Sequence, residues 1–212
     1  MATSNSNLLI IGDSFVAEDG GGEHYEWAWW NRLAKDSNSQ PINLAITGAS
    51  NFNIWHQLEY AYKNCKFNKI LIVLTAPNRI ENINTPVNEV ITYEHFKNKD
   101  ITSWTVHDRL AQGELTAELV DTYFDFKIAE SKDRIIAESI LHSAERRPCV
   151  ILPNLFTGFT RYHFNIIREA CPVDYSDVVT GVLDEPEMGH IYKSWHDKFY
   201  NKHKELFLAK LD

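Results

Sequence analysis

The sequence predicts an α/β protein, a mostly parallel sheet with helices on both faces, and three observations lead there. Four short runs, LLII at 8–11, PINLAIT at 41–47, FNKILIVLT at 67–75 and PCVILPN at 148–154, are apolar rather than cleanly alternating. Strands covered on both faces read this way. Stretches with apolar residues at helical spacing lie between and after these runs, so strand and helix signals alternate along the chain. Finally, 212 residues with 44% hydrophobic content suffice to bury a sizeable core, and the length fits one domain spanning residues 1–212.

Taken in order, the first strand ends at Gly12, and Asp13 and Ser14 follow where the chain turns toward a helix. Ligands of an open parallel sheet bind beyond the carboxyl ends of its strands, so Ser14 stands at the mouth of such a crevice. Gly-Asp-Ser is equally the chemistry of a turn and a helix cap. The acidic, glycine-rich segment 18–22 is not followed by Gly-Lys-Ser/Thr and reads as a flexible loop, not a phosphate cradle. Residues 23–35 are a predicted helix, with Trp27, Trp30 and Ala34 at helical spacing. The second strand closes at Gly48. Ser50 or Asn51 caps the next helix, whose apolar face is Ile54, Leu58, Ala61 and Tyr62. The third strand, 67–75, ends before Pro77.

The segment 79–113 breaks the rhythm. It is polar, contains Pro86, and offers only brief apolar groups such as Val90-Ile91 and Trp104. It is expected to pass over the crevice without a strand of its own, as a lid or an oligomer contact. Residues 114–146 carry a helical pattern through Leu119, Tyr123, Phe126, Ile135, Ile136 and Ile140, broken or bent near Ser131. The fourth strand follows, then a helical stretch at 162–170. Residues 190–211 form a final amphipathic helix with Ile191, Trp195, Phe199 and Leu206 on one side and His196 at its surface.

Composition narrows the function classes. A formal charge of −8 argues against nucleic acid or an anionic membrane as the main partner. No apolar run has the length of a transmembrane helix, and residues 1–7 are polar, which gives the expectation of a cytoplasmic or virion-associated protein. Cys65, Cys149 and Cys171 are far apart and read as reduced thiols. No His-x-x-x-His or HExxH pair sits on a helix, so no metal is expected. Trp27, Trp29, Trp30 and Trp55 would suit a stacking wall for a sugar, although tryptophans at helical spacing also suit a core.

Ser14, Gly48 and Asn78 each follow the end of a different predicted strand, so a parallel sheet brings all three to one edge. A serine hydrolase needs a nucleophile, donors for an oxyanion, and a histidine base steered by a carboxylate. Gly48 can bring a backbone N–H close, and Asn78 can supply a side-chain amide. The base can come from DEPEMGHIYKSWHDKF, where Glu187 stands three residues before His190.

These blocks together resemble the SGNH, or GDSL-type, family of serine hydrolases across nearly the whole chain and in the family's order. The first block is GDSF, the second LAITGASN, and the last Glu187-Met188-Gly189-His190. The resemblance implies a three-layer α/β/α sandwich with a flavodoxin-like sheet and no cofactor. It further implies Ser14 as nucleophile, His190 as base, Glu187 as its partner, and Ser14, Gly48 and Asn78 as oxyanion donors. The third block departs from the pattern: it reads Thr75-Ala76-Pro77-Asn78, without the glycine and with asparagine one place late. Glu187 replaces the family's aspartate, and Asp184 is the second candidate for that role. The expected activity is hydrolysis of a short acyl ester, such as an acetyl ester, on a small polar or carbohydrate substrate. The rival readings are a non-catalytic binding module on the same fold and an acyltransferase.

Overall fold

The computed structural model describes residues 6–18, 26–75, 79–83, 93–98, 101–105, 118, 135–136, 138–140, 142–144, 147–152 and 193–212. Strand β1 (Ser6–Ile11) is central. It pairs in parallel with β2 (Ser39–Asn43) on one side and with β3 (Lys69–Val73) on the other. Leu8, Leu9, Ile10 and Ile11 have no solvent exposure, which explains why this run is apolar without alternation.

Between β1 and β2 lies helix α1 (Trp29–Asp36), and between β2 and β3 lies α2 (Asn51–Asn64). The crossovers step first to one side of β1 and then back past it. Right-handed connections therefore put α1 and α2 on opposite faces. The outer strand β6 (Cys149–Leu152) pairs in parallel with β3, giving the order β2-β1-β3-β6. This is a three-layer α/β/α fold with a flavodoxin-like strand order, and its topological switch point falls between β1 and β3.

Each predicted strand is present, but with shifted ends. β2 begins at Ser39, not at 41, and leaves the regular ladder after Asn43. Its backbone still follows β1, because Leu44 N–H donates to the Ile10 carbonyl (2.9 Å) and Ile46 N–H to that of Gly12 (3.2 Å). Of the two predicted caps of α2, Ser50 is the one in place: its Oγ accepts from Asn53 N–H, and Asn51 is the first residue of the helix. Trp29 and Trp30 are buried, so they belong to the core and not to a sugar-stacking wall.

The segment 79–113 is corrected more deeply. It contains strand β4 (Arg79–Ile83), helix α3 (Tyr93–Lys97) and strand β5 (Ile101–Thr105), and β4 pairs antiparallel with β5 as a separate two-stranded sheet. Of the helical pattern at 114–146, Ile136, Ile140 and Ala144 are buried one turn apart, while Ile135 is exposed.

The last helix, α4 (Lys193–Leu211), packs on α1. Phe199 and Phe207 press against Trp29, with ring centroids 4.9 and 5.8 Å away. Its buried stripe runs through His196, Phe199, Tyr200, His203, Phe207 and Leu211. His196 is thus not a surface residue. Its Nδ1 accepts the N–H of Trp29 (3.1 Å), and that bond serves the first turn of α1, whose N-cap Ala28 has no side chain to do so. Among the described residues, no helix is long and apolar enough to cross a membrane.

Candidate active site

The site grows out of the way β1 ends. A side chain at Gly12 would put Cβ 2.6 Å from Val16 Cγ2 and 2.9 Å from the Val73 carbonyl, so only glycine fits between the ends of β1 and β3. Its peptide groups are closed by Gln57 of α2. Gly12 N–H donates to Gln57 Oε1 (2.8 Å), and Gln57 Nε2 donates back to the Gly12 carbonyl (3.1 Å). Two residues past the end of β3, Asn51 of α2 does the same for Thr75. Thr75 N–H donates to Asn51 Oδ1 (2.9 Å), and Asn51 Nδ2 donates to the Thr75 carbonyl (3.1 Å). Strands that diverge at a switch point leave backbone groups without a ladder partner, and these buried amides supply one.

Beyond Gly12 the chain turns tightly, with Val16 N–H and Ala17 N–H both donating to the Asp13 carbonyl (3.1 and 2.9 Å). Trp29 Nε1 donates to the Phe15 carbonyl (3.2 Å), and Asn43 Nδ2 to the Val16 carbonyl (2.7 Å). Ser14 sits in the middle of this turn, half-buried. It makes no hydrogen bond to any described residue.

Asp13 is fully buried. Its Oδ2 accepts from Thr75 Oγ1 (2.6 Å) and its Oδ1 from Phe15 N–H (3.2 Å). Burial pushes its carboxyl above the ordinary aspartate range, against the opposing pull of the Thr75 bond, the Arg79 charge and the Phe15 N–H. The Asp13 carboxyl ties the turn around Ser14 to the end of β3.

Gly48 follows β2 at φ +80°, a left-handed conformation that suits glycine. Across from it, Arg79 at the start of β4 donates from Nη1 to the Gly48 carbonyl (3.3 Å). Ser14 and Gly48 therefore share one edge of the sheet, linked through the Asn43–Val16 and Ile46–Gly12 bonds. His190, Glu187, Asp184 and Asn78 lie outside the described residues.

Sequence reasoning missed Asp13, Thr75, Asn51, Gln57 and Arg79. Four polar letters beside apolar runs, Asp13, Asn51, Gln57 and Thr75, are buried, and a buried polar side chain must have a partner. A cleft lined by Tyr62, Asn68, His142, Ser143, Arg147 and Pro148 opens at the other edge, where strands begin. Its Arg147 is engaged with the Phe67 carbonyl and ring. Among the described residues, no three His, Cys, Asp or Glu side chains gather as metal ligands would.

No family model and no curated protein matches the chain. A solved structure from Desulfitobacterium hafniense DCB-2, described as a "putative lipolytic protein of G-D-S-L family", aligns with a TM-score of 0.53 at 12% identity. The alignment covers 97% of this chain and 98% of that one. At such low identity the likeness speaks for the fold, and it agrees with the parallel sheet and its strand order.

Proposed function

We propose that this chain is a serine ester hydrolase of the SGNH type, which removes a short acyl group from a polar or carbohydrate substrate. In this reading His190 takes the proton of the Ser14 hydroxyl as Oγ attacks the acyl carbon. Glu187 fixes the imidazole tautomer and stabilises its cation. The N–H groups of Ser14 and Gly48, with the Asn78 amide, receive the tetrahedral oxyanion. Collapse expels the alcohol, which takes its proton from His190. Water then attacks the acyl-enzyme with His190 again as base.

The observation that carries the reading is the setting of Ser14. It occupies a tight turn at the carboxyl edge of a parallel sheet, beside the switch point and on the same edge as Gly48. Its neighbours make the bonds that hold the turn. The fold it shares with a protein described as lipolytic adds support.

The direct test is labelling by a fluorophosphonate probe. Wild type should be labelled, and Ser14→Ala, with its fold intact, should not. Absence of labelling in the wild type would favour a non-catalytic binding module on the same fold. The carboxylate is tested by comparing Glu187→Gln with Asp184→Asn on p-nitrophenyl acetate. Glu187→Gln should lower kcat by orders of magnitude, and a larger loss in Asp184→Asn would move the role to Asp184.

A further inference from the structure

Among the described residues, Arg79 is a cation at this edge, and its fork is only partly used. Nη1 is spent on the Gly48 carbonyl. Nε is buried with no hydrogen-bond partner, and Nη2 makes no bond to a described residue. The Nε–Nη2 side of a guanidinium is the side that takes a carboxylate in two parallel N–H···O bonds. We propose that Arg79 reads a carboxylate on the substrate, so that the ester cleaved at Ser14 carries a negative charge close to its scissile carbonyl. The inference rests on the ester hydrolase reading and names the substrate class for it.

Three further observations bear on it. Asp13, the acid whose charge Arg79 feels, already has its two oxygens filled by Thr75 and Phe15, and no ion pair joins it to Arg79 among the described residues. A carboxylate would give this buried N–H the partner it lacks through a charge-assisted bond, which a neutral ester oxygen matches less well. The chain as a whole carries a charge of −8, so its general field repels anions. An anionic substrate therefore needs a specific cation in the crevice. The bond from Arg79 to Gly48 sets that cation against the loop whose N–H is assigned to the oxyanion. The charge of Arg79 is also felt at Asp13, the neighbour of Ser14, which keeps the guanidinium near the turn where the ester is assigned.

The test separates charge from size. Mono-4-nitrophenyl glutarate and its methyl ester present the same acyl chain with and without the charge. Wild type should favour the charged ester in kcat/KM by about tenfold or more, as a charge-assisted pair would give. Arg79→Gln should bring the ratio close to one, chiefly by raising KM for the charged ester, and Arg79→Lys should restore part of it. A ratio near one in wild type, or one unchanged in Arg79→Gln, overturns the proposal. Binding provides a readout that needs no turnover: glutarate titrated by calorimetry into Ser14→Ala should bind, and should bind at least about tenfold more weakly when Arg79→Gln is added. If neither ester is cleaved but glutarate binding depends on Arg79, the hydrolase reading falls and the carboxylate site stands. If the esters are cleaved but glutarate ignores Arg79, or inorganic phosphate displaces it with higher affinity, the carboxylate assignment falls and the hydrolase stands.

Discussion

Asp13 precedes the proposed nucleophile by one position and has no contact with solvent. Its carboxyl titrates above 3.8, the ordinary aspartate value, because burial opposes the charge more than Thr75, Arg79 and the Phe15 N–H favour it. The folded state thus holds the proton more tightly than the unfolded chain. The favourable contribution of Asp13 is fully present below 3.8 and is lost as pH rises through the folded value. Asp13→Asn keeps an acceptor for Phe15 N–H and can face its amide toward Thr75 Oγ1, without a charge to bury. Thermal melts of the variant and wild type should therefore diverge in favour of Asn as pH rises from below 3.8 to neutral. A gap that does not change with pH would contradict the assigned shift. Ser14 and Gly48 were legible in the sequence because each ends a recognisable strand. The Thr75 partner of Asp13 was not, since the pair is 62 residues apart and nothing local marks either as buried.

At the scale of elements, the apolar runs located the four strands of the parallel sheet among the described residues. Burial writes itself into nearly every position of β1, β3 and β6, whereas β2 is half exposed and its ladder begins in polar residues. The strand ends were less legible, since a ladder stops where the backbone diverges and not where hydrophobicity does. β4 and β5 were missed for a different reason. Each is five residues long, mixed in polarity, and separated from the other by residues 84–100, so no short turn announces the pairing. The clamps from α2 were also invisible, because Asn51 and Gln57 read as polar positions on a helix. Gln57→Leu tests them. The Gly12 carbonyl would keep its bond from Ile46, but the Gly12 N–H would be buried without an acceptor. The expected loss is about 1–3 kcal/mol in urea unfolding, with an unchanged m-value. A loss well below that range would mean that Gly12 N–H finds another acceptor.

For the molecule as a whole, α4 is the closing element. It returns the end of the chain to α1, and its buried aromatics meet Trp29. Polar contacts line the rim. Tyr200 OH donates to Asp36 Oδ2 (2.8 Å), Lys204 pairs with the same oxygen (2.7 Å), and Arg32 pairs with Asp197 (2.7 Å). Such half-exposed ion pairs are worth under about 1 kcal/mol each, so the apolar stripe dominates the docking. Phe207→Ala should lower stability by about 3–5 kcal/mol, measured by denaturant unfolding. A loss under about 1 kcal/mol would instead mark α4 as a loosely attached tail. The sequence made this helix legible as amphipathic but misjudged its stripe. His196 and His203 are polar letters, and only the structure reveals that one of them stands in for a missing cap on α1.

The turn around Ser14 bears on how this protein can change. Gly12, Asp13, Phe15 and Val16 share the work of shaping the loop, and Ser14 contributes no bond to a described residue. Chemistry and architecture are thereby uncoupled at the position where the reaction is assigned. On the proposed hydrolase reading, a small replacement there should leave an intact crevice that holds an unreacted ester, so Ser14→Ala would serve as a trap for identifying the physiological substrate. In a lineage, the same uncoupling lets the crevice outlive its reactivity, so a descendant could keep recognising the ligand after losing the ability to cleave it.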